Sequence, residues 1–262
     1  MASFMWMLLA EPTYNRTLSL VRSPGERGFL ARRHSQPSTS TAYDGSVEAA
    51  QRLVKPKLRG VFHEIGFYAA VAAGILLVLT AEPGKARIAA AIFASGVVLC
   101  FGASAVYHRP TWPPRARAWL ARLDHAGIYL LIAGTYAPFG LIVMSRGWAI
   151  PILATVWGGA LLAIILKLFW VQAPKRLSAA IGLTLGWVAA VAFPQLLKLS
   201  AVGLLLVVAG GILYSAGAVI YALRRPDPIP RVFGYHELFH VLTVAAAACQ
   251  YVAVAFYVLP RA

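Results

Sequence analysis

From residue 60 onward the chain alternates between long apolar blocks and short connectors rich in Pro, Gly, Lys and Arg. The apolar blocks fall at 61–80, 88–107, 123–144, 148–169, 178–197, 202–223 and 235–258, each close to the ~20 residues that a helix needs to cross a ~30 Å hydrocarbon core. Connectors such as Arg109-Pro110-Thr111-Trp112-Pro113-Pro114 and Arg224-Arg225-Pro226-Asp227-Pro228 leave no room for another folded unit. The pattern predicts an all-α protein, a bundle of seven transmembrane helices spanning 53–262. Residues 1–52 are different material. They are rich in Arg, Ser, Thr and Pro and lack apolar periodicity, which predicts a basic, disordered amino-terminal tail. Their Arg-rich, acid-poor character also fits a transit peptide or a segment lying on anionic lipid.

Composition agrees: 60% of the residues are hydrophobic and only 13% charged, against about 45–50% and about 25% in soluble domains. The formal charge of +15 would point to a nucleic-acid partner in a soluble chain. Here the basic residues sit in the tail and between apolar blocks, where they orient a membrane protein, so nucleic acid is discounted as a partner. With the amino terminus cytoplasmic, the inner loops hold Arg109, Arg115, Arg117, Arg122, Lys167, Lys175, Arg176, Arg224, Arg225 and Arg231. The outer side then holds Lys85, Arg87, Arg146, Lys198 and Arg261. That asymmetry predicts a cytoplasmic amino terminus and, after seven spans, an extracytoplasmic carboxyl terminus in a multi-pass protein of the plasma membrane, the inner membrane of a bacterium. Cys100 and Cys249, the two cysteines, lie within apolar blocks and read as buried small hydrophobes rather than a disulfide.

Ionisable residues inside membrane helices are costly and usually functional. His63 and Glu64 open the first span, His108 ends the second, Asp124 and His125 open the third, and His236, Glu237 and His240 open the seventh. Alternation of the spans brings all of them to one membrane face. His236 and His240, one helical turn apart, can reach one metal ion, and His108 offers a third neutral nitrogen, leaving a fourth position for water as in catalytic zinc sites. Oxygen-preferring ions suit three imidazoles poorly. Asp124 is placed to hold or deprotonate that water, and Ser104, one turn before His108, to hydrogen-bond a polarised carbonyl, unless its hydroxyl bonds its own helix. His236-Glu237-Leu238-Phe239-His240 also matches the H-E-x-x-H metalloprotease pattern. Glu237, about 100° round the helix from His236, fits a supporting or loop-facing role better than that of base. His63, Glu64 and His125 read as packing or supporting residues, and Gly210, Gly211 and Gly217 as points of close helix packing.

Several ordered motifs carry a resemblance: Lys55-Pro56, Arg59-Gly60 and His63; Ser104 with Tyr107-His108; Leu123-Asp124-His125-Ala126-Gly127-Ile128-Tyr129 running to Gly134-Thr135-Tyr136 and Pro138; Gly210-Gly211 with Tyr214, Gly217 and Tyr221; and Phe233-Gly234-Tyr235-His236-Glu237-Leu238-Phe239-His240. Over residues 53–258 these resemble the bacterial hemolysin III family, which is related to the progestin and adipoQ receptors, adiponectin receptors included. The resemblance implies seven helices with the amino terminus inside and zinc near the inner surface on His108, His236 and His240. Ser104 and Asp124 would belong to the same constellation. It also implies hydrolysis of lipid amides in some members of the wider superfamily, alkaline ceramidases among them. Together these readings predict a zinc-binding membrane hydrolase of a lipid amide or ester, with membrane lipid as both bilayer and substrate. A receptor-like sensor with structural zinc and, below it, a pore-forming cytolysin are the alternatives.

Overall fold

The computed structural model describes residues 55–229 and 231–262, so the expected tail, 1–52, lies outside the described residues. Helix α1 spans Val61–Thr80, α2 Lys85–His108, α3 Pro114–Pro138 and α4 Arg146–Phe169. After α4 come α5, Lys175–Gly186, the four-residue α6, Phe193–Leu196, then α7, Ala201–Leu223, and α8, Tyr235–Ala253. A π-helical turn, Phe139–Val143, prolongs α3, and another, Val254–Val258, prolongs α8. No strand occurs among the described residues. Helix α1, α2, α3 with its extension, α4, α7 and α8 with its extension are each long and apolar enough to cross a membrane. In hydrocarbon a backbone must satisfy its own hydrogen bonds, which makes the helix the only open-ended solution. The chain is a multi-pass integral membrane protein built as a seven-helix bundle.

Neighbours in the ring are α1–α2, α2–α3, α3–α4, α4–α5, α5–α7, α7–α8 and finally α8–α1. Small residues let the helices approach. Without a hydrophobic drive between lipid-embedded helices, close packing of small side chains supplies much of the attraction. Gly203, Gly210 and Gly217, seven residues apart along α7, meet Tyr257, Gln250 and Phe239 of the α8 segment. Gly211 differs from the sequence expectation: nothing of another helix lies within reach of a Cβ there, and it lines a cavity instead. Between α2 and α3 backbone meets backbone, since a Cβ on Gly127 would stand 2.9 Å from the Cα of Cys100.

The fifth span is the one that departs from a regular helix. Gly186 ends α5, Trp187–Ala190 forms a 3₁₀ turn, and Pro194, which has no N–H to donate, begins a separate short helix. The freed backbone groups find one side chain. Tyr136 of α3 places its hydroxyl 3.0 Å from the Leu185 carbonyl and 2.6 Å from that of Gly186, and it accepts the Ala189 N–H at 2.7 Å. Composition alone counts residues 178–197 as a span; the Gly and Pro within it decide its shape.

Candidate metal centre and cavity

Helix α2 buries one continuous row: Ala86, Ala89 and Ala90, Phe93, Gly96 and Val97, Cys100 and Phe101, then Ser104, Ala105 and His108. Helix α8 buries a matching row of His236, Glu237, His240, Thr243, Ala246 and Ala247, Gln250 and Ala253. The 3.6-residue period that makes each helix face the core therefore carries the polar groups inward at one end. There His108, His236 and His240, all buried, bring one nitrogen each to within 4.8 Å of one another. The closest approach is 3.1 Å, between the Nε2 atoms of His108 and His236. Asp124 Oδ2 stands 3.5 Å from the same His108 Nε2. Ser104 is 1% exposed, and its Oγ faces the Asp124 carboxylate while reaching hydrogen-bond distance of no partner among the described residues. The sequence alternative for this hydroxyl, a bond to its own helix, is not formed.

Donor chemistry and spacing fit a divalent transition metal. Imidazole nitrogens that share one zinc ion at about 2.0–2.1 Å stand about 3–4 Å apart, a separation the His108–His236 pair already meets and that His240, within 4.8 Å, reaches by a small turn of its ring; three nitrogens favour zinc over calcium or magnesium. His240 Nδ1 is buried without a hydrogen-bond partner among the described residues, although a buried polar atom normally has one. His125 does not join the triad; it lines the cavity beside it. His63 comes nearer than the sequence suggested. It is 3% exposed and stacks on His240 at 3.8 Å between ring centroids and on Phe101 at 4.8 Å.

What sets the triad is a scaffold formed by the lead-in segments of α1 and α8. The backbone N–H groups of Lys57 and Leu58 bond the carbonyls of Arg231 and Val232 at 3.1 and 3.2 Å, stitching the lead-in of α1 to that of α8. Arg59 forms an ion pair with Glu237, whose other oxygen accepts the Gly234 N–H at 2.9 Å as an N-terminal cap. Glu237, at 0% exposure, thus has a partner on each oxygen, an arrangement that suits the supporting role better than that of base. Arg109 pairs with Glu64 at 2.6 Å. Gly60 adopts φ +83°, and a Cβ there would meet the Cβ of His108 at 2.7 Å. The Arg59-Gly60 pair, whose only sequence signal was its place in a motif, seats His108 and braces the helix that carries His236 and His240.

From the triad a cavity of about 560 Å³ runs between α3, α5, α7 and α8, within the ~300–1,000 Å³ usual for small-molecule sites. Ser104, Asp124, His236 and His240 line one end. Most of the remaining wall is apolar, from Ile128, Leu131 and Ile132 to Phe139, Met144, Phe193 and Leu196.

A family model described as haemolysin-III related matches residues 51–251. The chain belongs to that family. Hemolysin-3 of Bacillus cereus is 33% identical over 206 residues, covering 77% of this chain and 91% of the relative. The Hemolysin-3 homolog of Bacillus subtilis is 32% identical over 75% of this chain and 91% of its own length. A more distant similarity, 28% identity over 68% of this chain and 45% of the relative, reaches the adiponectin receptor protein of Drosophila melanogaster. The haemolysin-III chain described here is therefore a membrane protein related to the adiponectin receptors.

Proposed function

We propose that this haemolysin-III protein is a zinc-dependent hydrolase of a membrane-lipid amide or ester. The supporting observation is a convergence: three buried imidazoles, a carboxylate 3.5 Å from one of them and an unpartnered serine hydroxyl meet at the head of a long apolar cavity. The apolar wall accommodates an acyl chain, and the polar end receives its carbonyl carbon. Zinc held by His108, His236 and His240 supplies Lewis-acid polarisation and can lower the pKa of a water from 15.7 to about 7. Asp124 holds the attacking water, takes its proton, and returns it to the departing nitrogen or oxygen as the bond from the carbonyl carbon to that atom breaks. Ser104 donates its hydroxyl hydrogen to the oxygen on which negative charge develops. His63, stacked on His240, and Gly60, against His108, keep the ring planes in place. The positive-inside asymmetry of the loops puts this end of the bundle at the cytoplasmic face of the bacterial inner membrane, with the carboxyl terminus outside. Reporters fused after Ala262 and in the 109–113 loop check that orientation, and finding both on one side overturns it.

The decisive experiment uses Asp124→Asn. Purified protein is expected to carry about one zinc per chain, and the Asn variant to keep most of it because three imidazoles remain. Hydrolysis of ceramides or phospholipids, presented in mixed micelles, is expected to vanish, because an amide cannot accept the proton. Ser104→Ala should act in the same direction, by roughly 10²–10³-fold. Undiminished hydrolysis by Asp124→Asn sinks the reading. Zinc retained with no hydrolysis by the parent protein on any lipid of the panel transfers the assignment to a sensor with structural zinc.

A further inference from the structure

Helix α4 presents a single inward row, Ala149, Ile152, Val156, Ala160, Ala163 and Lys167, in which the last residue is the anomaly. A lysine two positions before the end of a membrane helix ordinarily snorkels, extending its stem so that the ammonium reaches water. By its place in the sequence Lys167 counts among the inner basic residues that orient the chain. Lys167 is instead 2% exposed, while Phe169, the final residue of the same helix, is 87% exposed. Its side chain lines the cavity, together with Asp124, His125 and Ser178. Depth is set by a cross-link between helices, because Arg122 Nε donates to the Leu168 carbonyl at 2.8 Å. Lys167 therefore stands level with the first turn of buried polar residues on α3, at the same end of the cavity as the triad.

No hydrogen bond or ion pair reaches Lys167 among the described residues; the carboxylates there pair as Arg59–Glu237, His108–Asp124 and Arg109–Glu64. Lys175, also near this end, differs. Its Nζ donates to the Tyr235 hydroxyl at 2.8 Å and lies over the rings of Tyr221 and Tyr235. An ammonium held within a helix bundle without a partner is costly for a membrane protein to carry, and such groups mark ligand or ion sites. As a compact point charge, a lysine complements one carboxylate or phosphate rather than a planar or neutral group.

We infer that Lys167 is the anion subsite of the cavity, the counter-ion of a carboxylate or phosphate carried by a long-chain amphiphile whose tail lies along the apolar wall. This deepens the lipid-hydrolase reading and rests on the cavity being its lipid site. In that reaction the anion is either the carboxylate of the released acid or the phosphate of the lipid's head group. Arms with the two anions distinguish these sources.

The test measures binding rather than turnover, so it is independent of whether hydrolysis is found. Asp124→Asn protein, as purified in neutral detergent, is titrated with hexadecanoate, hexadecyl phosphate and hexadecanol. Fluorescence of Trp187, which lines the cavity, is the readout. At least one anion should bind roughly tenfold or more tighter than the alcohol, the ratio expected of a charge-assisted hydrogen bond. Adding Lys167→Met or Lys167→Gln should erase that preference and leave hexadecanol binding unchanged, which also shows that the variants are folded. Lys167→Arg should retain it. A stronger preference for hexadecanoate assigns the subsite to the released acid, and one for hexadecyl phosphate assigns it to the head group. An anion preference that survives both neutral variants, or none in the parent, overturns the inference. Should none of the three amphiphiles bind, the lipid-cavity reading falls with it.

Discussion

The two walls of the cavity are built by opposite rules. On the triad side, α1 and α8 are tied by backbone hydrogen bonds between their lead-in segments and by the Arg59–Glu237 ion pair, and α2 is joined to α1 by the Arg109–Glu64 pair and the Gly60–His108 contact. On the α5 side, the helix breaks at Gly186, buries only Ala179 and Leu185 of its twelve residues, and is held at its start by the Lys175–Tyr235 bond and around the break by the hydroxyls of Tyr136 and Ser215. Metal chemistry needs ligands held to a fraction of an ångström, so a cross-braced wall suits it. A lipid must enter between helices, and a wall with few buried contacts is the one that yields at low cost. The difference teaches where to look for each function: substitutions on the first wall should change metal content, and those on the second should leave it alone.

The largest effect is expected from Glu237→Ala. It leaves the part-buried Arg59 guanidinium, 22% exposed, without its partner and uncaps α8, a loss at or below the lower end of the range of about 3–5 kcal/mol for breaking a fully buried ion pair. Thermal unfolding in detergent should drop sharply and zinc content should fall with it; a variant with parental zinc and melting temperature would show that the scaffold does not brace the triad. Gly60→Ala comes next. It combines a left-handed backbone with a 2.7 Å approach to His108, and displacing a metal ligand's support usually lowers metal affinity by about 10–100-fold. A competitive chelator titration measures that loss.

Tyr136→Phe tests the other wall. Removing the hydroxyl leaves the Ala189 N–H and the Leu185 and Gly186 carbonyls without their shared partner inside the bundle, at a cost of about 1–3 kcal/mol. Stability should fall and hydrogen exchange across residues 183–190 should rise, with zinc content unchanged. Loss of zinc in this variant would erase the distinction between the walls. Trp187→Phe is expected to be the mildest. It removes one 3.0 Å bond to Ser215, worth about 0.5–1.5 kcal/mol, and should loosen α5 from α7 without touching metal binding or the rest of the fold.

Much of this molecule was legible in the chain. Seven apolar blocks of membrane length demanded helices, because lipid offers the backbone no partner but itself. Their alternation alone brings His108, Asp124, His236 and His240 to one face, and the one-turn spacing of His236 and His240 sets them on one side of α8. The shape of the fifth span was less legible, since the Gly and Pro that break it count as minor interruptions in an apolar average. Glu237 was ambiguous for a related reason: the H-E-x-x-H spacing states which face a residue occupies but not which partner waits there, and the partner, Arg59, is 178 residues away.

By itself, then, the sequence determined the periodic part of this protein: how many segments cross, which rows turn inward, and which chemical groups gather at one end. Those follow from local rules of helix geometry and from the refusal of hydrocarbon to accept polar groups. Tertiary structure decided what depends on contacts between distant segments. It showed that Gly60 seats His108 and that Tyr136 closes the break in α5. It also turned Lys167, indistinguishable in the sequence from a snorkelling residue, into the cavity. Rotation of one helix against its neighbours selects between water and the bundle interior for such a side chain, and that rotation is set by the packing of the whole ring.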